Sequence, residues 1–310
     1  MEEKALRLSA VFLMILTAVS FVLLPKLPAL HTWEVEAREE RIAEEEFAQS
    51  QVTMQNLKIK EQNEAAGAKG ELSIRLPEGV TGDQIAVSND YVTQTIRVEI
   101  PQADRTYFDS YPVLGKSDYI DGLSYTRQGE MGVIEVTTNK VYELQTEYDA
   151  QNFYFNFLTP HEVYDKVVVI DAGHGGRAVG ANKQGINEKD IDLAIVLKLK
   201  EIFDNSDQNI GVYYTRTDDS NPTFDQRVQL ANKSDADLFI SIHNNSTRSG
   251  RMSGTSGTQV MYDETSEASR QFAQICLEEV TGRIGSRDKG LVEGDSIYIC
   301  LLYTSPSPRD

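Results

Sequence analysis

Two histidines placed just past the ends of apolar runs are the residues in this chain best suited to chemistry. Val167-Val168-Val169-Ile170-Asp171-Ala172 leads into Gly173-His174-Gly175-Gly176, and Ala236-Asp237-Leu238-Phe239-Ile240-Ser241-Ile242 leads into His243. The sequence has four histidines, so half of its imidazoles follow this pattern. Runs of this β-branched kind are expected in the buried strands of a parallel sheet. Ligands of open α/β sheets bind beyond the carboxyl ends of the strands, so both imidazoles are expected at one site. That geometry suggests a metal.

A third ligand is expected from a carboxylate on an adjacent element. Gly185-Ile186-Asn187-Glu188-Lys189-Asp190 opens the helix that follows the first histidine loop, with Asn187 as N-cap and Asp190 near a capping-box position. Ile191, Ile195, Leu199 and Ile202 form the stripe expected to pack on the sheet, and Glu188, three residues before Ile191, shares that face. Taken alone, Glu188 is an acid favoured in a first helical turn by the macrodipole. An inward carboxylate needs a partner, and two histidines are at hand. Two neutral imidazoles and one carboxylate leave zinc an open tetrahedral position, as in catalytic sites. Water bound there becomes a nucleophile near neutral pH. The spacings, 14 and then 55 residues, match no short zinc signature.

Gly173-His174-Gly175-Gly176-Arg177-Ala178 also reads as a dinucleotide fingerprint after a strand. That fingerprint requires a helix to start at once, and Val179 to Gly185 is instead a loop with two more glycines. No helix N-terminus would meet a pyrophosphate.

Residues 167 to about 300 resemble the zinc-dependent N-acetylmuramoyl-L-alanine amidases of the third amidase family. The matching pieces are Val-Val-Ile-Asp-Ala-Gly-His-Gly-Gly (168–176), Asn-Glu-Lys-Asp (187–190), Tyr-Tyr-Thr-Arg-Thr-Asp-Asp (213–219) and the run 226–245 that ends Ser-Ile-His-Asn-Asn. The resemblance implies an α/β domain with a mostly parallel sheet flanked by helices, a phosphorylase/hydrolase-like fold. It makes His174, Glu188 and His243 the ligands of Zn2+. It also implies hydrolysis of the amide between the lactyl group of N-acetylmuramic acid and L-alanine of the peptidoglycan stem peptide. Ala172 stands where the family usually has proline.

Other residues of the matching motifs have plainer readings. Arg216 and Arg227 have Asp218, Asp219 and Asp225 close by in sequence and read as fold-stabilising ion pairs. Asn244 and Asn245 follow His243 and either touch substrate or orient the loop, with Asn245 the candidate for substrate binding. Leu230 with Ala231, and Phe272 with Ile275 and Cys276, read as core.

Ile297-Tyr298-Ile299-Cys300 fits a further strand of the family pattern. Family members continue to a Glu-x-Gly-Phe segment whose glutamate acts as general acid or base, and no residue here takes that place. Glu293 precedes the strand, so the catalytic residue is unassigned. Residues 301–310 resemble a foreign read-through tail. The expectation is an incomplete catalytic domain over 161–300: with a foreign tail the natural protein is an active hydrolase that this chain truncates, and with a genuine one turnover is impaired, because general acid–base assistance is worth roughly 10²–10⁴-fold.

The elements upstream set the address. Leu8 to Leu24 is uncharged and follows Lys4 and Arg7, long enough for about 25 Å of helix against a hydrocarbon core of about 30 Å. Residues 1–30 are expected to be an N-terminal transmembrane helix whose basic flank stays cytoplasmic. Ala18-Val19-Ser20 offers the alternative of signal cleavage and secretion. Either way the catalytic domain is expected outside the cytoplasmic membrane, on the cell-wall side. Residues 31–66, rich in glutamate and arginine, read as a charged helical stalk. Residues 67–160 alternate with period two, as in Thr93–Ile100, Gly132–Val136 and Phe153–Phe157, and indicate a small antiparallel β domain. By position and strand pattern it resembles the AMIN-type modules that precede amidase domains, and serves either as a targeting module or as a passive spacer.

With 30 basic and 48 acidic residues the net charge is −18, most of the excess falling in residues 1–165. No basic patch is available for a nucleic-acid backbone, so no nucleic-acid partner is expected. Two cysteines, Cys276 and Cys300, give no disulfide framework. The leading reading is a membrane-anchored zinc amidase whose partner is peptidoglycan. The alternatives are a related zinc carboxypeptidase-like peptidase and an inactive peptidoglycan-binding or regulatory protein.

Overall fold

A run of helix formers with charged side chains makes helix α1 (Leu27–Ser50). The charge run predicts a helix as far as residue 66, but it stops at Ser50, where Val52 and Thr53 bring β-branched side chains with poor helix propensity. The computed structural model describes residues 27–61, 69–245 and 254–294. The expected anchor at Leu8–Leu24, the expected strand 297–300 and the tail 301–310 lie outside the described residues. Among the described residues, no helix is long and apolar enough to cross a membrane.

Ala43 opens a compact unit that runs through the β region and the histidine loops, whereas 27–42 and 254–294 fall in a second unit. In the first, β1 (Gln55–Asn56), β2 (Lys60–Glu61), β3 (Leu72–Arg75), β4 (Ala86–Asp90) and β5 (Thr95–Pro101) precede a short helix, α2 (Arg105–Ser110). Then come β6 (Leu114–Gly115), β7 (Ile120–Gln128), β8 (Met131–Thr138), β9 (Glu143–Tyr148) and β10 (Asn152–Leu158). They form two five-stranded sheets, β1-β7-β8-β5-β4 and β2-β6-β3-β10-β9. Period two decides which side chains are inside: Ile96, Val98 and Ile100 of β5, and Phe153, Phe155 and Phe157 of β10, meet in one shared core.

After a single turn, α3 (Pro160–Val163), the pattern changes to strands alternating with helices. The elements are β11 (Lys166–Ala172), β12 (Asn182–Lys183), β13 (Ile186–Asn187), α4 (Glu188–Asp204), β14 (Ile210–Tyr214), α5 (Phe224–Lys233) and β15 (Leu238–Ile242). β11 lies between β14 and β15 in a three-stranded parallel sheet. In the second unit, β16 (Thr258–Tyr262) and β17 (Asp288–Glu293) pair in parallel, joined through α6 (Glu267–Ile284). The expected mostly parallel arrangement is found within 166–293, in two separate sheets, β14-β11-β15 and β16-β17. Over the described residues pairing is mostly antiparallel, because in the β region most neighbouring strands are joined by short connections and β2 with β6 is its one described parallel pair, whereas in 166–293 helices supply the crossovers that parallel pairs need.

Two expected faces are corrected. On α4 the buried side chains are Glu188, Lys189, Asp192 and Val196, with Leu199 and Phe203 packed on the sheet core. Ile191, Ile195 and Ile202 are exposed. Residues 188, 192, 196, 199 and 203 follow one another at four- and three-residue steps, which is one helical face, so the sheet-facing stripe carries the carboxylates. On α6, Ala273 and Leu277 are buried, Phe272 and Cys276 half-buried and Ile275 exposed. Leu230 and Ala231 of α5 are fully buried, as their sequence pattern predicts.

Candidate metal centre

β11 ends at Ala172, and the chain turns sharply enough that His174 adopts φ 60°. A non-glycine residue in this left-handed region is strained, and such strain collects at functional sites. β15 delivers His243 from the neighbouring strand, and Glu188 is the first residue of α4. Two glycines make room for the convergence. A Cβ on Gly173 would sit 2.3 Å from the His243 ring, and one on Gly180 would sit 2.6 Å from His174 and 2.7 Å from Glu188.

His174 Nε2 and Glu188 Oε1 are 3.2 Å apart, His174 Nε2 and His243 Nδ1 3.2 Å, and His243 Nδ1 and Glu188 Oε1 3.3 Å. The three atoms form a nearly equilateral triangle. Ligands about 2.0–2.1 Å from a tetrahedral zinc stand roughly 3.3 Å from one another, so the donor set fits this ion in chemistry and in spacing. Glu188 is buried and His243 is 45% exposed on its side chain, which leaves the triangle open on one side. Burial by itself would raise the Glu188 carboxyl, but the two imidazoles and the Ala181 N–H, 2.8 Å from Oε2, hold it far below the usual carboxylate range.

Asp192 completes the group. Its nearest carboxylate oxygen and the other three ligand atoms all lie within 4.8 Å of one another. Burial pushes it up to about 7, the Glu188 charge adding to that rise while the His243 and His174 imidazoles oppose it. Asn244, read as touching substrate or orienting the loop, does the latter: Nδ2 donates to Asp192 Oδ1 at 2.7 Å and its backbone N–H to Glu188 Oε1 at 2.7 Å. Asn245, two residues after His243, is exposed. Sequence reasoning missed Asp192, although its place one turn after Glu188 on the same face was a usable signal.

The arginines differ from expectation. Arg227 ion-pairs with Asp171, not Asp225, and donates to the carbonyls of Ala172 at 2.8 Å and His174 at 2.8 Å. Arg216 donates to the carbonyls of Ala172, Gly173, Lys189 and Asp218, not to the carboxylates of Asp218 or Asp219. Both side chains are buried and knit the His174 turn to α4 and α5. Asp171 also accepts from Thr215 and Ser241, which ties β11 to its two neighbours. Lys189 takes Asp219 as its partner at 2.6 Å. Arg177, just past the turn, donates its backbone N–H and Nε to Glu46 at the end of α1.

Residues 168–307 match the family model of N-acetylmuramoyl-L-alanine amidase. The catalytic domain of CwlV, an N-acetylmuramoyl-L-alanine amidase from Bacillus (Paenibacillus) polymyxa var. colistinus, is 35% identical, over 42% of this chain and 70% of that one, with a TM-score of 0.38. This chain belongs to the N-acetylmuramoyl-L-alanine amidase family. Among curated relatives of this chain, YqiI of Bacillus subtilis (strain 168), described as an uncharacterized protein, is 36% identical over 46% of this chain and 66% of its own length. The N-acetylmuramoyl-L-alanine amidase CwlM of Bacillus licheniformis is 33% identical over 40% of this chain and 47% of its own. The chain therefore spans about half to two thirds of the length of these relatives. The family match begins at Val168, so it contains all three atoms of the triangle and leaves the β region outside it.

Proposed function

We propose that this amidase is a zinc hydrolase that cleaves the amide between the lactyl group of N-acetylmuramic acid and L-alanine in peptidoglycan. The observation that carries the reading is the triangle of His174 Nε2, Glu188 Oε1 and His243 Nδ1, with every edge at 3.2 or 3.3 Å. Zinc in such a set supplies Lewis acidity toward a carbonyl and acidifies water. Glu188 remains anionic throughout the working pH range, since its partners hold it so far down. His174 and His243 present their ring nitrogens toward the carboxylate. The Arg216 and Arg227 contacts fix the carbonyls of the turn that carries His174, so its ring is held before any ion arrives. Asn245, exposed two residues after His243, carries an amide of the type that donates to and accepts from sugar or peptide groups.

The same reading puts the amidase on the cell-wall side of the cytoplasmic membrane, held there by the uncharged segment Leu8–Leu24 or released after its cleavage. The β region then serves as a wall-targeting module or a spacer. The test is digestion of purified sacculi by the full chain with and without a chelator, followed by analysis of the released peptides. Zinc-dependent appearance of a free L-alanine amino group is expected, at a rate lowered by roughly 10²–10⁴-fold for want of the general acid–base glutamate, with loss in His243→Ala. Release of terminal D-alanine would identify a carboxypeptidase-like enzyme instead, and sacculus binding without release would identify a binding protein.

A further inference from the structure

We propose that Asp192 and Asn244 act as a positioning pair that sets how tightly this centre holds its cation; the inference rests on the zinc reading above. Asp192 is fully buried and lies one turn beyond Glu188 on the sheet-facing side of α4. Its Oδ1 accepts from Asn244 Nδ2 at 2.7 Å, and the Asn244 backbone N–H donates to Glu188 Oε1 at 2.7 Å. Helix, carboxylate, loop and carboxylate thus close a ring, and His243 is the residue next to its loop member. The N–H from Asn244 engages one acceptor site of Glu188 Oε1 and leaves the other turned toward the two imidazoles. Without Asp192, nothing in this ring would tie the Asn244 side chain to α4, and the Glu188 and His243 ends of the triangle could part.

A second observation supports a role beyond packing. Asp192 Oδ2 is buried and finds no hydrogen-bond partner among the described residues. An unmet buried carboxylate oxygen is costly unless a positive charge lies near, and Asp192 belongs to the group of ligand atoms within 4.8 Å of one another. A divalent cation at the triangle would offset that oxygen. Outer partners of this kind typically change metal affinity by about 10–100-fold when removed.

The test is zinc affinity of the full chain, measured without substrate by competition with a chromophoric chelator. Asp192→Ala is expected to weaken zinc binding about 10–100-fold. Asp192→Asn keeps an acceptor for Asn244 Nδ2 and is expected to bind much more tightly than Asp192→Ala. Asn244→Ala should match Asp192→Ala, and the double variant should lose no more than the worse single one, because the two act as a unit. If Asp192→Ala does not fold, Asn244→Ala and Asp192→Asn carry the same comparison. Unchanged zinc affinity in Asn244→Ala, or fully additive losses in the double variant, would overturn the inference while leaving the zinc centre standing. A wild-type chain that takes up no zinc would overturn both.

Discussion

At the scale of single residues, the centre depends on side chains that are absent as much as on those present. Gly173 permits the His243 ring where any Cβ would collide at 2.3 Å. Gly173→Ala is therefore expected to displace His243 and weaken zinc binding at least about tenfold, the scale of losing a second-shell support; equal affinity in a chelator competition would refute this. The buried Asp171–Arg227 pair makes a sharper prediction. Burial alone would raise the Asp171 carboxyl, but Arg227, with help from His243, Ser241 and Thr215, brings it down to about 2. Because the folded value lies below the ordinary 3.8, the pair's stabilisation is present above that value and is lost as pH falls toward about 2. Removing Arg227 leaves an uncompensated buried charge, so Arg227→Met should cost about 3–5 kcal/mol at neutral pH. Its stability should also fall with rising pH through the range where the unpartnered acid ionises, the reverse of the wild-type slope. Urea unfolding of the metal-free protein at several pH values reads both, and a parallel pH profile would count against the argument.

At the scale of elements, some of this arrangement could be read in the sequence and some could not, for a physical reason in each case. β11 and β15 were legible because strands of a parallel sheet are near-continuous apolar runs, β11 buried and β15 half-buried, and the histidines follow them directly. The α4 helix was legible, but its orientation was not. Ile191, Ile195 and Ile202 make an apolar stripe as convincing as the true one, whose members include Glu188 and Asp192. Apolar periodicity picks out a face, and here a functional site puts polar residues on the buried one. The arginine partners were illegible because Asp218, Asp219 and Asp225 are near in sequence, while Asp171 is near only after β11 and α5 have packed. The α4 orientation has a direct test. Val196→Ala, in the fully buried row, should destabilise by about 2 kcal/mol through the cavity it leaves. Ile202→Ala, 65% exposed, removes more side chain yet should stay within about 0.5 kcal/mol. Comparable urea midpoints for the two variants would mean that the helix presents a different face.

At the scale of the whole molecule, the β region and the parallel sheet belong to one compact unit although the family match begins only at Val168. Their junction is specific. Tyr213 of β14 donates to Glu143 Oε1 at 2.6 Å, Tyr91 donates to Glu143 Oε2 at 2.9 Å, and the two rings meet edge-on with centroids 4.9 Å apart. Burial, with the Glu143 carboxylate beside it, holds the Tyr213 hydroxyl protonated well above the usual phenol range, so it remains a donor at any working pH. The Val141 N–H adds a bond to the Lys233 carbonyl at 3.0 Å. Glu143→Ala removes the acceptor from two hydroxyls, and an unsatisfied buried donor costs about 1–3 kcal/mol. In native-state hydrogen exchange, β8 and β11 amides of the wild type should open with similar free energies, as one cooperative unit. In Glu143→Ala the two strands should separate into distinct classes, whereas Tyr213→Phe, which takes away the buried donor and keeps the ring contact, should separate them less. If β8 and β11 already differ in the wild type, or still open together in Glu143→Ala, then this joint does not couple the two regions.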